Sequence, residues 1–211
     1  MTADSIPVLP LSVWNPIHLG TDETGQQASA SLAERNMLIG GEPGGGKSVA
    51  LQLIVAHGAL SADCKLIPID GKRVELGLWA DCAERFVGPS IDDAIDVMHW
   101  LQGLIDERTD VLLQMKKRKV TPDMGWPFYL VPIDEVAYFS ATVGTEIDPR
   151  ARGVSWLRAE DGIPRRIKAA YLTDDEIIHL AAWAAQARAT HHASSPATDA
   201  NVIRLGRGEA A

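Results

Sequence analysis

Apolar positions along the chain alternate between short continuous runs and helical spacing. Asn36-Met37-Leu38-Ile39-Gly40 is a short apolar run ending in glycine, the pattern of a buried parallel strand. Ser48 to Leu60 is apolar almost all round, which predicts a helix covered on most sides. Cys64 to Asp70 reads as a second strand, with Pro68 favouring an edge position because it cannot donate to a ladder. From Ile91 to Lys119, Ala94, Met98, Leu101, Ile105, Leu112 and Met115 recur at steps of three and four, broken only by Arg108. This spacing predicts an amphipathic helix of up to about 40 Å. Phe128 to Asp134 is the next strand, and Ile167 to Leu172 another. Thr173-Asp174-Asp175-Glu176 has the capping-box pattern and opens a helix to about Arg188.

Strands alternating with helices mean an α/β fold with a mainly parallel sheet, carried by residues 36–188. Residues 1–35, with Pro7, Pro10, Pro16 and a polar run from Gly20 to Ser31, read as an irregular lead-in with a short hairpin around Ile17-His18-Leu19. Residues 189–211 are rich in Ala, Ser and Gly and are expected to be a disordered tail.

Composition narrows the class. In 211 residues, 46% are hydrophobic and 23% charged, a balance that supports a core and excludes a chain disordered throughout. Cys64 and Cys82 form neither a CxxC nor a His/Cys cluster, which excludes a disulfide scaffold and a zinc ribbon. Free thiols, with no N-terminal apolar leader, point to a cytoplasmic protein. No apolar stretch is long enough to span a membrane. A net charge of −8 argues against coating nucleic acid by bulk charge, while leaving room for a local basic surface.

The chemistry concentrates in one loop. Gly41-Glu42-Pro43-Gly44-Gly45-Gly46-Lys47-Ser48 matches G-x-x-x-x-G-K-[ST] between the predicted strand and the predicted helix. Glycines let successive N–H groups turn toward a phosphate, and the helix N-terminus adds positive potential. Lys47 can reach the β- and γ-phosphates, and the Ser48 hydroxyl can ligate Mg²⁺, so ATP with Mg²⁺ is the expected ligand. The Phe128–Asp134 strand ends in Asp134-Glu135, at the end where open parallel sheets hold ligands. Asp134 is a candidate outer partner of Mg²⁺, and Glu135 a candidate base for the attacking water.

The residues around these motifs resemble the FtsK/SpoIIIE family of ring-forming, DNA-pumping ATPases, most of all its actinobacterial plasmid-transfer (Tra) branch. Arg35 to Ser48 looks like that branch's Walker A segment. Ile69-Asp70-Gly71-Lys72-Arg73-Val74-Glu75-Leu76 is similar to the family's Asp-Pro-Lys-Arg-x-Glu-Leu stretch, with Gly71 in place of Pro. Pro132-Ile133-Asp134-Glu135 resembles Walker B, and Ile163 to Leu172 the closing segment. The resemblance implies a RecA-like P-loop NTPase fold, Mg²⁺ coordination by Asp134, catalytic roles for Glu135 and Lys47, and action on double-stranded DNA. It also implies assembly as a homo-oligomeric ring or with a full-length relative, in conjugative transfer or segregation.

One departure changes the expectation. In full-length relatives several tens of residues separate Walker B from a segment like Ile147 to Val154, whereas here the two are joined near Gly144–Ile147. The missing stretch carries the family's next two core strands and its Ala-Thr-Gln-Arg-Pro sensor. The first of those strands lies between the Walker A and Walker B strands. At about 4.8 Å per strand, its loss leaves a gap of about 10 Å between the two motif strands. Either the strands close up, or Ile167–Leu172 moves in, or another chain fills the place. Two functions therefore stand beside each other: an ATP-dependent DNA motor, and a nucleotide-binding remnant deficient in hydrolysis that acts through subunit interaction. An unrelated P-loop kinase lacks any second motif for an acceptor. The relatives' membrane segments and winged-helix domain have no counterpart in the sequence.

Other features are weaker. Lys116-Lys117-Arg118-Lys119 fits a solvated helix C-terminus better than a DNA contact. Arg165, Arg166 and Lys168 read either as a family-related basic cluster or as a charged strand edge. His57 and His99 are expected to be packed or exposed helix residues, and His191-His192 lacks further metal ligands. Trp79, Trp100, Trp156 and Trp183 read as core or interface aromatics.

Overall fold

The computed structural model describes residues 9–33, 35–40, 46–134, 154–158 and 164–194. Strands β1 (Ile17–Asp22) and β2 (Gln27–Ala30) form a hairpin. The Asp22 carboxylate closes its turn by accepting from the Thr24 and Gln26 amides, and Gly25 supplies the left-handed conformation there (φ 81°). Helix α1 (Lys47–Ala59) follows, then β3 (Cys64–Leu66) and β4 (Ile69–Asp70), and a 3-10 helix at Gly77–Cys82. Helix α2 (Ile91–Gln114) leads to β5 (Phe128–Leu130) and β6 (Ile133–Asp134), and then to β7 (Val154–Arg158), β8 (Pro164–Ala169) and α3 (Asp174–Ser194).

The sheets are mixed rather than mainly parallel. β3 pairs in parallel with β5 and β4 with β6, while β2-β1-β8-β7 form a separate four-stranded antiparallel sheet. β3 and β4 are one chain direction interrupted at Ile67-Pro68, and β5 and β6 likewise at Val131-Pro132. Hydrogen bonds from Ile67 N to Leu130 O and from Ile69 N to Pro132 O carry the pairing across both breaks.

Pro68 does not mark an edge. Glu84 N donates to Leu66 O, Val87 N to Pro68 O and Asp70 N to Val87 O, so the Glu84–Val87 segment lines the far side of this strand. The proline costs a ladder donor and breaks the strand, yet it is fully buried. Nor is β8 an edge, since it is paired to β1 on one side and β7 on the other. It begins and ends three residues earlier than its apolar run suggests, and it joins the hairpin rather than the parallel strands.

The expected strand at Asn36–Gly40 is absent: residues 35–40 carry no secondary structure, and Leu38 is 82% exposed. A strand needs a neighbour to satisfy its backbone, and among the described residues none lies beside this segment. Met37 and Ile39 nevertheless pack partly against the main core.

That core joins Val13, Ile17, Leu19 and Leu32 from the lead-in to Ile54, Val55 and Ala59 of α1, Leu66 and Leu130 of the parallel strands, and Ile177, Ala181 and Ala184 of α3. Residues read as an irregular preface thus supply part of the interior. A second cluster lies between α2 and the opposite face of the parallel strands, built on Ile67, Ile69, Val87 and Val97. α2 stops at Gln114, capped at its start by the Ser90 hydroxyl on Asp93 N, because Lys116 turns into the left-handed region (φ 52°). Lys116–Lys119 therefore lie in the exposed turn beyond it. α3 starts on the expected box, with Glu176 accepting from Thr173 N and Oγ1, which holds that exposed carboxyl below the usual range. It runs on to Ser194, so residues 189–194, expected in the tail, are helical.

Candidate nucleotide site

The phosphate-loop sequence leads into α1. Gly46 is its N-cap in the left-handed conformation (φ 86°), a geometry that glycine takes without strain. Lys47 and Ser48 open the helix and are half-buried. The first turn carries no acidic residue, so nothing there opposes the positive end of the helix dipole. Gly41, Glu42, Pro43, Gly44, Gly45 and Glu135 lie outside the described residues.

Contacts along α1 fix which end faces what. Gly58, near its C-terminus, sits so close to β3 and β5, the first halves of the two parallel runs, that an added Cβ would meet Leu130 Cδ2 at 2.6 Å and Leu66 Cδ2 at 3.0 Å. One and a half turns earlier, Gln52 donates to Glu75 O at 2.6 Å and accepts from the Trp79 indole at 2.6 Å, both beyond the end of β4. α1 therefore runs antiparallel to the parallel strands. Its N-terminus, with Lys47 and Ser48, stands at their C-terminal end, the end that also bears Asp134.

Asp134, half-buried, closes β6 in register with Asp70 on β4. The two carboxylates have different work. Asp70 is wholly buried and accepts from the amides of Lys72, Arg73 and Leu76, each at 2.9 Å. It organises the Gly71–Leu76 loop, in which Arg73 is left-handed (φ 58°) and its guanidinium packs over Gly88. Asp70 was legible as part of a motif, but its structural role shows only once the loop closes around it. Gln52 and Arg188 were missed outright. Arg188 on α3 donates to the carbonyls of Gly58 (2.8 Å), Ala59 (3.0 Å) and Cys64 (2.7 Å), capping the C-terminal end of α1. A lone arginine among alanines gave no periodic signal.

The remaining candidates are structural or exposed. His57 is buried, with Nε2 3.1 Å from Ser12 O, and His99 is exposed. Trp79 is a core residue, Trp183 packs against the core, and Trp100 meets Tyr129 edge-to-face at 5.4 Å. Trp156 lies on β7, and Arg165, Arg166 and Lys168 on the doubly paired β8, where they are no edge. Cys64 and Cys82 are free and buried, and burial pushes their thiols up to about 12 and about 11. Among the described residues there is no group of three or more His, Cys, Asp or Glu that could hold a metal ion. Among them, too, no helix is long and apolar enough to cross a membrane.

The FtsK/SpoIIIE family model matches residues 11–141, taking in the Gly41–Ser48 segment, both parallel strand pairs and α2. Protein Tra of Streptomyces lividans is 35% identical over 106 residues, covering 49% of this chain and 17% of Tra. DNA translocase FtsK of Haemophilus influenzae is 29% identical over 112 residues, covering 50% of this chain and 21% of its own length. The chain thus spans about a fifth of the length of these relatives. With its model matched over more than half of the sequence, this chain belongs to the FtsK/SpoIIIE family, whose domain is a P-loop NTPase.

Proposed function

We propose that the chain is a nucleotide-binding domain of the DNA-translocase type, holding MgATP at Gly41–Ser48 and acting with double-stranded DNA. The observation that carries this reading is the common placement of the α1 N-terminus and Asp134 at the C-terminal end of the parallel strands. The residues present fit the ligand: a left-handed Gly46, a first turn free of carboxylates, a lysine and a hydroxyl side by side, and a carboxylate at the adjoining strand end. In this reading the loop amides and Lys47 bind the phosphates, Ser48 and Asp134 hold Mg²⁺, and Glu135 orients the attacking water. Bound Mg²⁺ would neutralise charge on the phosphate oxygens. Cytoplasmic location, ring assembly and a role in conjugation or segregation belong to the same proposal. The test is ATPase activity of the purified chain with and without double-stranded DNA. DNA-stimulated turnover that Lys47→Ala or Glu135→Gln abolishes is expected; no ATP binding in calorimetry would refute it.

A second reading is favoured by a specific observation, the unpaired Asn36–Gly40 segment in front of the loop. Catalysis requires the phosphate loop and the water-activating strand to be held rigidly together. Here the loop is joined to β5–β6 through no continuous sheet among the described residues. A domain that binds ATP without turnover, and acts by joining other subunits, follows from that. Multiple-turnover hydrolysis by the purified chain would exclude it.

A further inference from the structure

The β5–β6 strand has the side chains of a central strand and the position of an edge. Phe128 and Leu130 pack into the core on the α1 side, while Tyr129, Val131 and Ile133 pack under α2. Both faces are therefore covered. The hydrogen-bonding side toward β3–β4 is occupied through Phe128, Leu130 and Pro132. In an extended strand the intervening residues point their N–H and C=O the other way. Among the described residues, Tyr129, Val131 and Ile133 have no strand on that side. Pro132 falls on the occupied side, so the missing N–H of this proline leaves the open edge intact.

The helix above this edge carries a matching feature. Ile91, Ile95, Met98, Gln102, Ile105, Thr109 and Leu113 form a stripe at steps of three and four with no charged residue. Ile91, Ile95, Met98 and Ile105 are 64%, 47%, 41% and 56% exposed. The packed face of α2, through Ala94, Val97 and Leu101, lies about a quarter turn away. On the far flank of that packed face sits Trp100, which reaches the Arg85 guanidinium beyond β3. The apolar stripe is thus on the flank that overhangs the open edge.

We infer that this surface pairs with a second copy of the same chain, edge to edge and antiparallel about a two-fold axis at Val131. In that register Tyr129 lies opposite Ile133 of the second copy and Val131 opposite its own equivalent. All three outward residues then exchange backbone hydrogen bonds, and each proline falls at a position that needs none. The axis is perpendicular to the sheet, so both α2 helices lie on one face. With α2 astride the β3–β5 pair, the two helix axes come to about 10 Å apart, the distance of packed helices. The exposed stripes then cover one another. Two chains of net charge −8 repel, and a stripe without charged residues of its own, bordered by the Asp106 carboxylate that accepts from Gln102, keeps that repulsion at the rim of the contact.

The helix position of the axis follows as well. Arg108 lies against Pro127 and Trp126, and Trp100 against Tyr129, so α2 runs antiparallel to β5–β6. Moving from Tyr129 to Val131 corresponds to about four residues back along α2 from Trp100. Ile95 and Met98 therefore flank the axis, while Leu113 lies about 27 Å along the helix from Ile95. This isologous contact differs from a head-to-tail ring, which joins two unlike surfaces. It also needs no bound nucleotide.

The test is sedimentation velocity on the full chain across a concentration series, without nucleotide. A dimer is expected for the wild type. Ile95→Glu combined with Met98→Glu, both at exposed positions, should raise the dissociation constant at least tenfold with an unchanged circular dichroism spectrum. Ile95→Cys should give an oxidised, covalent dimer, and Leu113→Cys should not, against a low background from the buried Cys64 and Cys82. A monomer at all concentrations, a dimer indifferent to the double substitution, or equal cross-linking at residues 95 and 113 would each overturn the inference.

Discussion

Replacing Arg188 by alanine removes the side chain that ties α3 to the end of α1. The guanidinium donates through Nη1 to Cys64 O at 2.7 Å and through Nη2 to Gly58 O at 2.8 Å and Ala59 O at 3.0 Å. A longer bond runs from Nε to Ala59 O at 3.3 Å. These carbonyls belong to the last turn of α1 and the first residue of β3, where a helix leaves acceptors without internal partners. Hydrogen bonds to a charged group contribute about 1.5–3 kcal/mol each. The contacts share donors and an acceptor and one is long, so they count as roughly two good bonds, or about 3–5 kcal/mol. Lysine keeps the charge but offers a single ammonium in place of a planar fork, so Arg188→Lys should recover less than half of that loss. Urea unfolding followed by tryptophan fluorescence measures both variants. A loss under 1 kcal/mol for Arg188→Ala would show that water serves these carbonyls equally well, and the capping account would fall.

Gly58→Val drives a branched side chain into Leu130 and Leu66 in the packed core and should cost about 1–3 kcal/mol. By contrast, Gly88→Ala meets only the flexible end of Arg73 and should stay within about 0.5 kcal/mol, both read from denaturant midpoints. Gln52→Leu strands the indole N–H of the fully buried Trp79 and should lose about 1–3 kcal/mol, with a changed near-ultraviolet spectrum. Cys64 should resist an aromatic disulfide reagent at pH 8 until the chain unfolds, since burial pushes its thiol up to about 12. Below about pH 9 the thiol is protonated in both states. Above it the unfolded chain ionises first, so stability falls as pH rises from about 9 toward 12. Cys64→Ala should flatten that part of the profile in urea midpoints measured against pH.

Local chemistry was the legible part. The helix start at Asp174 follows from its capping box, and the helices that begin at Lys47 and Ile91 show in their apolar patterning, each a matter of nearby residues. The parallel strands around Leu66 and Leu130 show as apolar runs because both of their faces are buried. Lys47 and Ser48 stand out in the sequence as the end of a short, ordered glycine-rich pattern, and Asp134 as the close of an apolar run. Pairing was not legible, because a strand's partner lies far along the chain. Asn36–Gly40 has the composition of a strand and forms none, while Ile17–Asp22, read mostly as lead-in, is bonded on both sides. Pro68 looks like an edge residue and is buried between two neighbours. Arg188 offers no pattern at all, yet it joins segments more than a hundred residues apart.

The opposed placement of α1 and the strands, which sets Lys47 and Asp134 at one end, came from the packing of Gly58 and Gln52. Periodicity records which side of an element is apolar and how a few adjacent backbone groups are satisfied. Which element lies beside it depends on contacts between distant residues, and those exist only once the chain has closed on itself.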